Sequence, residues 1–420
     1  MFFLYQIIIS ILLIFSPLII SYRILKKKED KKRFKEKFCF PSKKRVTGNL
    51  IWFHGSSLGE ILSILPLVYE LEKNKSINQI LITSSTLSSA EIFKKFKLKK
   101  TVHQFFPIDS ILYSYKFINY WKPTIAIFIE SEIWPSIFKV INRKDVPLLL
   151  LNARITKKTF KKWNRIKNFS NSVFKNVSIA YPQNKETFTY LKKLNVSKIK
   201  KIGNLKLINS NQNKFAKLDK MLLKNLSLRE IWCASSTHPG EETICSNVHI
   251  NLKKKYKNLL TIIIPRHVHR IDKIVNEIRN LNLNVVLHSS KPKTLDNIDI
   301  YLVDTYGETK KFYQLSNIVF MGKSLSGKGG QNPLEPTNFG SVVLYGPNID
   351  NFKDTYKLLD KLKVAHKVNG VKSLTNLLNK LILKPNDKKS YLKIAKIGKK
   401  ILNETKDEIN TLLNNEIKKT

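Results

Sequence analysis

Glu60 closes the run His54-Gly55-Ser56-Ser57-Leu58-Gly59-Glu60. Gly and Ser permit a tight turn and supply backbone donors at the start of the following helix. A carboxylate there has two uses. It complements the positive end of the helix dipole, or it acts as a general base toward a bound hydroxyl. A second acidic group, Glu130-Ser131-Glu132-Ile133-Trp134-Pro135, sets two carboxylates two residues apart beside an indole. Such a pair suits the hydroxyls of a sugar, or the capping of the next helix. With no His or third acid nearby it is a poor metal set. Lys206, in Gly203-Asn204-Leu205-Lys206, brings a cation to the end of the first half of the chain. One lysine among so many is ordinarily solvent-facing, so this run says little by itself.

The second half carries the partners an anionic ligand needs. Ser235-Ser236-Thr237-His238-Pro239-Gly240-Glu241-Glu242 combines helix-capping hydroxyls with acids of a first turn. Its hydroxyls and free N–H groups also suit a phosphate or a sugar carboxylate. Pro265-Arg266-His267-Val268-His269-Arg270 uses Arg in a chain that otherwise uses Lys, and Arg grips phosphate or carboxylate bidentately. The most specific run is Gly327-Lys328-Gly329-Gly330-Gln331-Asn332-Pro333-Leu334-Glu335-Pro336, followed by Tyr345-Gly346-Pro347 and Asn351-Phe352. A Gly-rich loop lets backbone N–H groups approach a phosphate, and Glu335 lies where it can accept from ribose hydroxyls. The spacing fits neither a Walker A loop nor a dinucleotide fingerprint.

These runs need a frame that holds loops at strand ends, and the apolar pattern supplies one. Strands are predicted at 50–53, 80–83, 124–129, 148–151 and 177–181 in the first half. In the second half they are predicted at 231–234, 260–264, 284–287, 300–303, 318–321 and 342–345. Continuous apolar runs between helical stretches mean strands buried on both faces of a parallel sheet. Ligands of such sheets bind beyond the carboxyl ends of the strands, where the chemistry-bearing runs fall. The expected architecture is α/β, with two Rossmann-like, doubly wound domains facing a cleft. The first spans 46–208 and the second 225–420, with a polar linker at 209–224. Residues 1–22 are free of charge and long enough as a helix to cross a membrane. The basic segment 23–45 follows, which places the catalytic part in the cytoplasm and the extreme N-terminus outside.

Composition narrows the function classes. In 420 residues, 42% hydrophobic and 10% aromatic content excludes a disordered chain. A net charge of +44 favours an anionic membrane surface or a phosphorylated substrate. Only ten of the 75 basic residues are Arg, and abundant Lys, Asn and Ile also fit an AT-rich coding bias on solvated faces. No nucleic-acid recognition module accompanies the charge, so no nucleic-acid partner is expected. Cys39, Cys233 and Cys245 form neither a CxxC pair nor a disulfide framework.

Taken in order, HGSSLGE, ESEIWP, LNARIT, GNLK, SSTHPGEE, PRHVHR, DTYGE and GGQNPLEP resemble the 3-deoxy-D-manno-octulosonic acid (Kdo) transferases across most of the chain. The resemblance implies the GT-B fold and an inverting transfer with no metal and no cofactor. It implies CMP-Kdo as donor and a lipid A precursor (lipid IVA) as acceptor, at the bacterial inner membrane. Carried over by motif, Glu60 is the base. Lys206, Ser236, Thr237, Arg266, Gly329, Gly330, Gln331, Asn332, Glu335 and Asn351 serve the donor, and Ser57, Gly59, Glu130, Glu132 and Arg154 the acceptor. Three departures stand out: Gln331 where the family usually has His, Lys323 where it has Gly, and Leu87-Ser88-Ser89 for Pro-Thr-Gly. Rival readings are another GT-B transferase or an epimerase acting on a UDP-sugar, and a non-catalytic basic protein of the membrane surface.

Overall fold

The apolar runs form two parallel sheets in this computed structural model, which describes residues 1–208, 219–383 and 388–419. The first sheet contains β1 (Leu50–His54), β2 (Gln79–Ser84), β3 (Thr101–Phe105), β4 (Ile125–Ile129), β5 (Leu148–Ala153) and β6 (Ile179–Pro182). Their order across the sheet is β3-β2-β1-β4-β5-β6. The second contains β7 (Glu230–Thr237), β8 (Leu259–Pro265), β9 (Val285–Leu287), β10 (Ile300–Leu302), β11 (Ile318–Met321), β12 (Val342–Tyr345) and β13 (Ala365–Lys367). These run β13-β12-β11-β7-β8-β10-β9. Every pairing is parallel, and helices on both faces bury the strands. This is the doubly wound arrangement the apolar runs imply.

Each sheet has its own core. Trp52, Phe128, Phe138 and Trp121 pack together in the first, and Trp232, Phe320, Ile263 and Val248 in the second. Fully burying a side chain of this kind contributes about 1.5–3 kcal/mol or more. Two strands were not expected. β3 carries His103 and Gln104, which break the apolar run yet are buried, because Ser84 Oγ, Arg33 Nη2 and the backbone N–H of Ser42 bond their side chains. β13 is only three residues long.

The chain divides into two compact units, Met1–Ser210 with Ile397–Thr420, and Asn211–Lys396. The expected second domain, 225–420, therefore overshoots. The helix Lys388–Ile417 returns the chain to the first unit, where Glu408 accepts from Tyr181 Oη at 3.0 Å and Lys200 Nζ at 2.6 Å. Of the expected linker 209–224, residues 209–218 lie outside the described residues, and Asp219 caps a helix over Lys220–Ser227. The expected anchor is a helix over Phe2–Leu25, long and apolar enough to cross a membrane. The basic segment after it is tied to the first unit. Glu29 and Glu36 are buried in it, paired with Arg23 and Lys37 and with Arg33.

Candidate active site

β1 lies between β2 and β4, so the strand order reverses there and the loops after β1 and β4 rise side by side. That crevice is the ligand position of an open α/β sheet. Ser57 caps the helix Leu58–Glu72, and Glu60 completes a capping box: Glu60 N–H donates to Ser57 Oγ, while Glu60 Oε2 accepts from Ser56 N at 2.6 Å and Ser57 N at 3.3 Å. Both readings of Glu60 thus share one side chain, because the box engages a single oxygen. Partial burial raises the Glu60 pKa, and the charges of Glu132 and then Glu130 push the same way, against the two N–H bonds. A half-buried carboxylate whose pKa its neighbours raise is a better proton acceptor than a free one.

Glu132 is held by a relay that starts in the core. Trp52 Nε1 donates to Thr83 Oγ1 at 2.9 Å, Thr83 Oγ1 meets His54 Nδ1 at 3.0 Å, and His54 Nε2 meets Glu132 Oε2 at 3.1 Å. Trp134 Nε1 donates to the same oxygen at 2.9 Å. Complete burial lowers the His54 pKa, although Glu132 and the Thr83 backbone oppose it. A carboxylate only accepts, so Nε2 carries a proton toward Glu132, while Nδ1 lies 3.0 Å from Thr83 Oγ1 and 3.2 Å from the Thr83 carbonyl oxygen.

Glu130 takes a left-handed backbone (φ 55°) at the end of β4, and its buried carboxylate pairs with Lys206 Nζ at 2.6 Å. Arg154 fixes this turn from the backbone: its N–H donates to Glu130 O at 3.0 Å and its carbonyl accepts from Ser131 Oγ at 2.8 Å. Asn152 Oδ1 accepts from Leu205 N at 3.1 Å, which sets the short turn carrying Lys206. Lys206, expected at the donor, and Glu130, expected at the acceptor, are therefore one ion pair of the first unit. Gly59 is exposed in the first turn beside Glu60.

In the second unit the reversal lies between β7 and β11, and it gathers the loops after both. The crossing is tight. A Cβ on Gly322 would lie 2.4 Å from Ser236 O, and Ser236 itself has φ 57°. Glu241, fully buried, fastens the two loops: it accepts from His238 N (2.9 Å), Lys323 N (2.7 Å), Ser324 N (3.0 Å), Leu325 N (2.9 Å) and Ser326 N (3.3 Å). Glu242, also buried, accepts from Thr237 Oγ1 at 2.9 Å and is forked by Arg270 at 2.9 and 3.2 Å. These acids, read in the sequence as first-turn charges, hold the loops in shape.

The Gly-rich loop follows directly. Gly329 (φ 89°) faces Asn351 so closely that a Cβ would meet its Nδ2 at 2.3 Å, and Asn351 N donates back to Gly329 O at 3.1 Å. Gly330 is buried beside it, Gln331 O accepts from Tyr356 Oη at 3.0 Å, and Asn332 Oδ1 accepts from Leu334 N at 3.2 Å. Glu335 stands exposed on the single turn Leu334–Thr337. The surrounding protein raises its pKa, while Lys310 and Arg266 pull it down. Arg266 is exposed, its N–H bonded to Thr237 O at 3.1 Å. The second unit thus joins Ser236, Thr237, Arg266, the Gly-rich loop, Glu335 and Asn351 around one switch point, and the first joins Ser57, Glu60, Glu130, Glu132, Arg154 and Lys206 around the other. Sequence reasoning assigned no role to His54, Thr83 or Lys310, and read Glu241 only as a first-turn charge and Arg270 only as a candidate grip for an anion. Among the described residues no three His, Cys, Asp or Glu side chains come together as a metal-ligand set.

Two Rossmann-like units with loops gathered at both switch points define a GT-B-type fold. The fold recurs in a UDP-GlcNAc 2-epimerase from Neisseria meningitidis, at a TM-score of 0.56 and 14% identity over 87% of this chain and all of that one. A family model described as "3-Deoxy-D-manno-octulosonic-acid transferase (kdotransferase)" matches residues 32–209. A 3-deoxy-D-manno-octulosonic acid transferase from Rickettsia bellii is 34% identical over 96% of this chain and 97% of its own length. One from Haemophilus influenzae is 28% identical over 96% of both. The chain belongs to the Kdo transferase family.

Proposed function

We propose that this glycosyltransferase moves Kdo from CMP-Kdo to a hydroxyl of a lipid A precursor such as lipid IVA, with inversion and with neither metal nor cofactor. Glu60 takes the proton of the attacking hydroxyl. Its raised pKa beside Glu132 and Glu130 is the observation that carries the reading. The second unit holds the donor: Arg266 and the backbone of the Gly-rich loop offset the phosphate charge that grows as CMP leaves, and Glu335 accepts from the ribose. Lys206, shared with Glu130, offsets the Kdo carboxylate, while Glu132 and Arg154 shape the acceptor side. The N-terminal helix and the basic residues after it attach the enzyme to the bacterial inner membrane, with both units in the cytoplasm. Length and composition alone suit a single-pass crossing.

The test is transfer by detergent-solubilised protein, with CMP-Kdo generated in situ, tetraacylated lipid A precursor as acceptor, and chelator present. CMP release with product heavier by one or more Kdo units is the expected result. UDP release from a UDP-sugar, with none from CMP-Kdo, would overturn it.

A further inference from the structure

A helix that crosses a bilayer separates its ends by the hydrocarbon thickness, about 30 Å. The helix Phe2–Leu25 is about 36 Å long at about 1.5 Å per residue, yet both of its ends are fastened to the first unit. At its start Tyr5 Oη donates to Asp109 Oδ2 at 2.7 Å, Gln6 Nε2 donates to Ser136 Oγ at 2.8 Å, and Gln6 Oε1 accepts from Ile111 N at 3.3 Å. Asp109 is buried, and the same carboxylate caps the helix Pro135–Arg143 by accepting from Ser136 N and Ile137 N. Phe2 and Tyr5 pack on Phe169 at 6.4 and 5.9 Å between ring centres. At the far end Arg23 pairs with buried Glu29, which also holds Lys37. Lys37 O in turn accepts from Ile108 N, one residue before Asp109.

Between these ends one edge of the helix is shielded. Phe2, Tyr5, Gln6, Ile9, Leu13, Ser16, Ile20 and Ile24 are half-buried or buried, at spacings of mostly three and four, so they form one stripe against the protein. The opposite face is apolar and exposed: Phe3 (78%), Leu4, Ile7, Ile11, Ile14 (74%), Phe15 and Leu18 (70%). Exposed Lys26, Lys27, Lys28, Lys31 and Lys32 follow at once. An apolar face beside a lysine cluster matches the interface of an anionic bilayer, acyl chains below and phosphates above.

We infer that this helix lies in the plane of the membrane interface, fastened along its inner edge to the first unit, and that its N-terminus stays on the same side as the catalytic units. The inference rests on the membrane attachment proposed above and replaces the crossing expected from length and composition. A crossing would pull Tyr5 and Gln6 from Asp109 and Ser136 and leave their polar groups in hydrocarbon or beyond it.

The test is the full chain with a protease-cleavable epitope before Met1 and another after Thr420, in inner-membrane vesicles of both orientations. Protease outside inside-out vesicles should remove both epitopes, and protease outside right-side-out vesicles neither. Loss of the N-terminal epitope from right-side-out vesicles alone would overturn the inference and leave the transfer reaction untouched. Both epitopes in the soluble fraction would overturn the membrane attachment as well, and transfer measured in the same preparation would judge the reaction separately. Nitroxide labels on Phe3→Cys and Leu12→Cys, in a Cys39→Ser background, provide a second reading. Equal shallow depths are expected, and a deep Leu12→Cys with a shallow Phe3→Cys would sink the idea.

Discussion

Glu60→Gln separates helix capping by the carboxylate from the proton acceptance proposed for it. The capping box uses only Oε2, which accepts from both Ser56 N and Ser57 N. An amide keeps one oxygen, so both bonds and the start of the helix Leu58–Glu72 survive. What is lost is the charge at the helix N-terminus, worth about 0.3–1 kcal/mol. Relief of repulsion from Glu132 and Glu130 acts in the opposite direction. Stability should therefore change by about 1 kcal/mol or less, a Tm shift of about 2–4 °C for a unit of this size. A base, by contrast, is worth about 10²–10⁴-fold in rate, or about 3–5 kcal/mol of barrier. The assay follows CMP release at saturating acceptor, beside thermal unfolding and CMP binding by calorimetry. The expected variant melts and binds CMP like the parent and turns over at least a hundredfold more slowly. A rate within about threefold of the parent would refute the assignment. So would a rate loss matched by loss of fold or of CMP binding, since Glu60 would then be only a cap.

Glu132→Gln removes a charge that raises the Glu60 pKa. The proposed mechanism needs Glu60 deprotonated, so the acid limb of the pH–rate profile should move to lower pH, and a limb that stays or rises contradicts the coupling. Glu241→Gln places an N–H donor against at least two backbone N–H groups that the carboxylate now receives. At about 1–3 kcal/mol per lost bond, the melting transition should fall by several degrees and CMP binding should weaken; an unchanged melt would show that the loops hold themselves. Lys323 sits at φ 60°, a left-handed backbone that costs a residue with a Cβ about 1 kcal/mol or more. Lys323→Gly should therefore raise the Tm by up to a few degrees, and a fall would mean that the lysine side chain stabilises the turn.

Much of this was legible because buried parallel strands are nearly unbroken runs of Ile, Leu, Val and Phe, and because chemistry in such sheets collects after the strands. Leu148–Ala153 and Ile318–Met321 could be read almost to the residue. Thr101–Phe105 could not. Its buried His103 and Gln104 look like surface residues until Arg33 and Ser42, some sixty to seventy positions away, supply their bonds. The destination of the last helix was equally hidden, since its pairing with Tyr181 and Lys200 spans more than two hundred residues and leaves no local mark. The pairing of His54 with Glu132 belongs to the same class. The two lie 78 residues apart, and only the adjacency of β1 and β4 joins them. Motifs pointed to the candidate residues; the relay that holds Glu132 came from topology.

The uneven burial of charge connects the site to the surface. Glu29, Glu36, Asp109, Glu130, Glu241, Glu242 and Asp299 are buried among the described residues, while no Lys or Arg is. A buried carboxylate is stable only when donors surround it; here they are backbone N–H groups at Glu241 and, with Tyr5 Oη, at Asp109, and chiefly cationic side chains at Glu29, Glu36, Glu130 and Glu242. The scarce acids are thus consumed in shaping the turns at the strand ends and in fastening the N-terminal helix. The lysines, whatever coding bias supplied them, remain at the surface with few carboxylates to neutralise them. The surface is accordingly positive, which would favour approach to the anionic lipid and phosphorylated acceptor proposed above. Raising ionic strength should therefore weaken the proposed membrane association while leaving the packing of Glu241 and Asp109, which is screened from solvent, unchanged.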